Sequence, residues 1–189
     1  KIQNYFKNTF YANIKNILQV VAGIDNYNNS KFIANGLVVQ DSILAQINFI
    51  LLGKINGNYC STVDIIAHEY AHCLISYSSK LDGYGESGAL NESFADIFAN
   101  LAERSILGRD NWEIGEDLNF VLRDLSNPEC SYYQGNNWIN PDTTYDKGGI
   151  HANSGVQSKW FQLIFDEIGL DNARKLVKWT ERCLNPTSK

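Results

Sequence analysis

The chain has 189 residues, 44% hydrophobic and 20% charged, with a formal charge of −5 and a pI near 5.2. That length and composition suit a globular protein of one domain or two small lobes with a real core. The acidic balance and the lack of any basic cluster exclude nucleic acid and anionic membranes as general partners, and no apolar run reaches the ~18 residues that would span a bilayer.

Residues 1–60 read as an N-terminal α/β lobe. Ile14, Ile17, Leu18 and Val21 fall at helical apolar spacing. Asp25 to Lys31 is a polar breaker. Phe32 to Gln40 and Gln46 to Leu52 are short runs of β-branched and aromatic residues, expected to be strands. Residues 61–189 read as a mainly helical lobe, giving an α+β fold overall. Ser61 or Thr62 is placed to cap its first helix, and Asp64 suits the positive end of that helix.

The stretch from Thr62 to Ser105 carries the chemistry. His68 and His72 are about 40° apart around a helix, so both project from one face and can share a metal ion, with Glu69 beside that face. Leu90, Phe94, Ile97, Phe98 and Leu101 make a second helical stripe, while Glu92, Asp96 and Glu103 share another side. Joined antiparallel through the polar run Ser76 to Ser87, the two helices set His72 against Glu92, His68 against Asp96 and Asp64 near Glu103. Three protein ligands, His68, His72 and Glu92, leave the open position of a catalytic zinc. Asp96 is expected to accept the free ring N–H of His68, and Asn91 that of His72.

Downstream, Glu129 to Lys147 is expected to be a surface loop, and Ser154 to Ile168 and Asp171 to Leu184 two helices broken at Gly169. Cys60, Cys73, Cys130 and Cys183 permit two disulfides in three connectivities, or none, with Cys73 read as a small buried apolar residue. The chain has no methionine and no signal peptide ahead of Lys1, which suggests a processed or excised piece.

His68-Glu69-x-x-His72 followed by Asn91-Glu92-x-x-x-Asp96 resembles the zinc signature of the thermolysin family of metalloendopeptidases. The resemblance continues through Asn4 to Phe10, Asn111-Trp112-Glu113-Ile114-Gly115-Glu116-Asp117, Leu122-Arg123-x-Leu125-Ser126-x-Pro128 and Asp146-x-Gly148-Gly149-Ile150-His151-x-Asn153-Ser154-Gly155. It implies a two-lobed zincin that is secreted or extracellular and acts as a monomer on peptide or protein substrates; the family's domain continues in further helices where this sequence stops, so the chain is expected to be either a fragment or a trimmed lobe stabilised by another route. It also implies zinc catalysis with Glu69 as general base, and His151, oriented by Asp146, as a donor to the oxyanion. Arg123 is similar to the arginine that holds a substrate carbonyl. Leu122 and Ile65 match apolar pocket positions, implying preference for an apolar residue after the cut bond.

Asp64, Glu103, Glu113 and Glu116, with Asn111, match the family's structural calcium site, although the family usually has aspartate where Asn111 stands. Without the resemblance these acids would read as an exposed acidic surface. Gly83 stands where the family places an oxyanion tyrosine, and neighbouring Tyr84 substitutes if the loop shifts by a residue. Leu44-Ala45-Gln46-Ile47 replaces the family's substrate-pairing edge strand. These departures keep a non-catalytic zinc-binding scaffold open as the alternative to an endopeptidase. An aminopeptidase is a weaker third option, since no anchor for a free amine is recognisable.

Overall fold

A computed structural model describes residues 1–10, 18–40, 43–128 and 145–188, and it leaves side chains 35–40 and 43–47, with that of Leu18, undescribed. The chain begins with helix α1 (Ile2–Phe10) and strands β1 (Leu18–Ala22), β2 (Ser30–Gln40) and β3 (Ile43–Leu52). β3 lies in the middle of this sheet, parallel to β1 and antiparallel to β2, with a register shift between Ile33 and Gly36. Two short strands, β4 (Lys54–Ile55) and β5 (Asn58–Tyr59), close the segment. The long helices follow: α2 (Val63–Tyr77), α3 (Gly85–Leu107) and α4 (Asp146–Cys183), with two-residue strands β6 (Glu113–Ile114) and β7 (Arg123–Asp124) between α3 and α4.

Leu18 and Val21 therefore lie on a strand, not on the helix that their spacing suggested; Ile14 and Ile17 lie outside the described residues. Val20 and Val21 are β-branched, and the ladder of β3 is available to pair with them, so pairing overrides a chance helical period. β2 and β3 contain the two runs expected to be strands, starting two and three residues earlier, whereas the two-residue strands β4 to β7 were not expected.

α2 is buried on nearly all sides, as a helix apolar around most of its circumference must be. α3 packs on it through small residues: Ala67 and Ala71 on one helix and Ala95, Ala99 and Ala102 on the other are fully buried. Small side chains let two helix backbones approach closely enough for polar groups to meet between them. α1 adds Phe6 and Phe10, whose rings lie 4.7 Å from Tyr70 and 4.8 Å from Phe98. The first helix thus belongs to the core of the helical lobe although it precedes the sheet.

Thr62 occupies the cap position of α2, but its buried hydroxyl makes no capping bond; Asp64 instead accepts the N–H of Ile65 at 2.8 Å. Gly108, in the left-handed region at φ 73°, stops α3. Gly169, at φ 72° and ψ 171°, breaks α4 at the expected place. Gly88 on α3 has no room for a side chain, because a Cβ there would meet Ile150 at 2.6 Å. That contact sets the start of α4 beside α3. Cys60, Cys73 and Cys183 are free thiols, and Cys130 lies outside the described residues.

Phe98 is fully buried among aromatic rings, so Phe98→Ala should cost about 3–5 kcal/mol in a urea unfolding titration. Burial pushes the Cys60 thiol up to about 11 and the Cys73 thiol to about 12, whereas Cys183 is exposed. A thiol reagent should therefore label Cys183 in the native protein and reach Cys60 and Cys73 only on unfolding, as peptide mapping would record.

Candidate metal centre

The antiparallel packing of α2 on α3 brings His68, His72 and Glu92 together. Among the described residues, this is the group whose ligand atoms all lie within 4.8 Å of one another. The two Nε2 atoms are 3.0 Å apart; His68 Nε2 is 3.4 Å from one Glu92 oxygen, and His72 Nε2 is 3.7 Å from the other. Donors 2.0–2.2 Å from a tetrahedral ion stand roughly 3.3–3.5 Å apart, so these separations are close to the edges of a zinc coordination tetrahedron.

Each imidazole is oriented from behind. His68 donates its Nδ1–H to Asp96 Oδ1 at 2.8 Å, and His72 donates its own to Asn91 Oδ1 at 2.8 Å. Asn91 is fixed in turn by donating to the Leu81 carbonyl. With both Nδ1 atoms turned outward, the Nε2 lone pairs face each other beside Glu92 Oε2, which is buried and makes no hydrogen bond. Lone pairs and a carboxylate in one small space repel unless a positive charge enters it. The electrostatics say the same: burial disfavours a charged His68, yet Asp96 and then Glu92 outweigh it and hold this imidazole up at about 10. Glu92 is held well below the usual carboxylate range because the histidines outweigh its burial. The donor set fits zinc.

Asp96 is fully buried and carries a second load. Arg123 donates to it through Nε at 2.7 Å and Nη2 at 2.6 Å, a bidentate grip. Burial alone would raise this carboxyl, but Arg123 and His68 hold it below its ordinary value. Glu69 lies next to His68 on α2, is 4% exposed, and accepts a hydrogen bond from the Ser30 hydroxyl at 2.6 Å. Sequence reasoning missed Ser30 because nothing local marks a serine 39 residues away as a partner.

His151 comes from the start of α4. Its Nε2 is 3.4 Å from Glu92 Oε2, while its ring Nδ1 and its backbone N–H donate to the two oxygens of Asp146 at 2.6 and 2.8 Å. Burial pushes Asp146 up, but His151 outweighs it and holds the carboxyl below its ordinary value. The pairing depends on a left-handed winding: Asp146, Lys147, Gly148 and Gly149 have φ of 49°, 51°, 88° and 75°. Glycine accepts that hand without strain, which is why two of the four are glycine.

The other expected residues are less gathered. Tyr84 caps α3 and is 54% exposed. Ile65 and Leu122 lie inside the core, 3% and 4% exposed. The sequence assigned calcium to Asp64, Glu103, Asn111, Glu113 and Glu116, and the structure places an arginine beside two of them. Both Asp64 oxygens accept backbone N–H groups, of Ile65 and Gly115. Arg109 donates to Glu103, Glu116 and Asp117 at 2.9, 3.1 and 2.9 Å. Asp117 was not among the expected ligands. Even with Arg109 present, burial and the charges of Asp64 and Glu116 push Glu103 up to about 8.

Comparison with known proteins gives the lineage. A family model described as thermolysin metallopeptidase, alpha-helical domain, matches residues 79–188. Bacillolysin of Bacillus amyloliquefaciens is 30% identical over 189 residues, covering 93% of this chain and 33% of that protein. Neutral protease NprE of Bacillus pumilus is 28% identical, covering 93% of this chain and 58% of that one. Neutral protease B of Bacillus subtilis is 42% identical over 107 residues, covering 52% of this chain and 18% of that one. Among solved structures, the precursor of protealysin, a metalloproteinase from Serratia proteamaculans, superposes with a TM-score of 0.67 at 22% identity, over 90% of this chain and 58% of that one. The chain spans about a third of that bacillolysin and under three fifths of that neutral protease NprE. With the family model covering more than half of its residues, the chain belongs to the thermolysin family of zinc-dependent metallopeptidases.

Proposed function

We propose that this chain is the peptide-hydrolysing part of a secreted zinc endopeptidase. The observation that carries the reading is the convergence of His68, His72 and Glu92 with Glu69 on the same helix. A zinc ion held there would supply Lewis acidity and bring the pKa of water at the site to about 7.

Glu69 takes the proton of the attacking water and later passes it to the leaving amine. Ser30 keeps one oxygen of Glu69 in place and leaves the other for that exchange. His151, held on Asp146, turns Nε2 toward the oxygen that gathers charge as the peptide carbon becomes tetrahedral. Arg123 commits Nε and Nη2 to Asp96, leaving Nη1 to meet a substrate carbonyl. Tyr84 is assigned to the oxyanion by resemblance, supported by its exposure at the cap of α3. Preference for an apolar residue after the cut bond likewise follows the resemblance at Ile65 and Leu122. Among the described residues no helix is long and apolar enough to cross a membrane. The calcium implied by the resemblance is left out of this reading, because Arg109 stands among its ligands.

A non-catalytic zinc scaffold is favoured by one observation, the burial of Glu69 under Ser30. Glu69→Gln separates the two readings. With the base removed, cleavage of a quenched apolar peptide should fall by at least about 100-fold while metal analysis still finds one zinc per chain. Equal behaviour of the variant and the parent in cleavage would sink the enzyme reading. Asp96→Asn leaves the three ligands in place but weakens their orientation, so zinc affinity should drop about 10–100-fold in competition with a chromophoric chelator.

A further inference from the structure

The carboxylate group beyond the end of α3 is built around an arginine. Gly108 stops the helix in a left-handed turn, and Arg109, the next residue, folds its guanidinium back toward Glu103. Nη1 donates to Glu103 Oε1, Glu116 Oε1 and Asp117 Oδ2; Nη2 donates to Asp117 Oδ1 at 2.9 Å. One cation thus touches three carboxylates, and it is gripped bidentately by one of them.

The rest of the group is also arranged for N–H donors. Asn111 turns its amide Nδ2 to Glu116 Oε1 at 2.8 Å, so the residue that stands where the family has aspartate acts as a donor. Asp64 is taken up by the backbone N–H groups of Ile65 and Gly115. Among the described residues the His68, His72 and Glu92 group has its ligand atoms within 4.8 Å of one another, whereas these acids are spread around the guanidinium. Three buried oxygens, Glu103 Oε2, Asn111 Oδ1 and Glu116 Oε2, have no hydrogen-bond partner, so Arg109 engages one oxygen of each glutamate and leaves the other.

We propose that Arg109 is the built-in cation of this carboxylate group, so that the fold holds the group together without calcium. The guanidinium lies within hydrogen-bond distance of one oxygen of Glu103 and one of Glu116, two of the five residues assigned to calcium, and of both oxygens of Asp117, and its charge opposes a second cation there. The cross-link joins the last turns of α3 to the segment that leads into β7 and Arg123, and therefore supports the side of the zinc site that Arg123 reaches.

The test needs no peptidase activity, so its failure is separate from failure of the functional reading. The zinc-loaded chain is dialysed into calcium-free buffer, its calcium content is measured by atomic emission, and its thermal midpoint is followed as calcium is raised to millimolar levels. The parent should hold no calcium and shift by less than about 1 °C. Arg109→Asn, which leaves the acids uncompensated, should lose roughly 5 °C or more and regain much of it with calcium. Arg109→Lys keeps the charge without the fork, and should lie between the two and ignore calcium; it also covers the case in which the asparagine variant does not fold. Stoichiometric calcium in the parent with a midpoint rising by several degrees would overturn the proposal. So would an Arg109→Asn variant as stable as the parent and equally indifferent to calcium.

Discussion

The candidate metal centre depends first on Asp96, which orients His68 and holds Arg123. A carboxylate with no exposed surface survives inside a protein only when its oxygens are satisfied, and here Arg123 and His68 do so together. The arginine supplies the charge that keeps Asp96 ionised, and the ionised Asp96 fixes which nitrogen of His68 faces inward. One buried acid thus ties α2, α3 and strand β7 to a single geometry.

That chain of contacts is possible only because α2 and α3 approach closely. Buried alanines line their contact, so polar groups one turn apart reach across without long side chains. α4 is brought in by the same economy at Gly88, where the missing side chain admits Ile150 and sets His151 near Glu92. Three helices separated in sequence therefore deliver four side chains to one small volume, and each of the three imidazoles is steadied by a partner.

Much of this was legible in the residues. The helical spacing of His68 and His72, and the register that pairs them with Glu92 and Asp96, follow from periodicity, because helix geometry converts sequence spacing into direction. The Asp146 and His151 pairing was visible only through resemblance, since a loop histidine carries no periodic signal. What escaped was long-range or misleading locally. Ser30 meets Glu69 through sheet packing that no local pattern encodes, and Leu18 with Val21 mimicked a helical stripe while pairing as a strand. Arg109 stands between acidic residues in the sequence, but the backward turn after Gly108 that brings its guanidinium onto Glu103 has no periodic signal.

The reversed winding from Asp146 to Gly149 has an evolutionary corollary. Any L-amino acid there pays about 1–2 kcal/mol against its own chirality, a tax already levied on Asp146 and Lys147. Drift at Gly148 and Gly149 is thereby confined whatever the chain's activity, for as long as the aspartate clasps the imidazole. Should that clasp be lost, the four-residue left-handed turn should relax to the ordinary hand, and the two glycines would be the first positions freed to diverge.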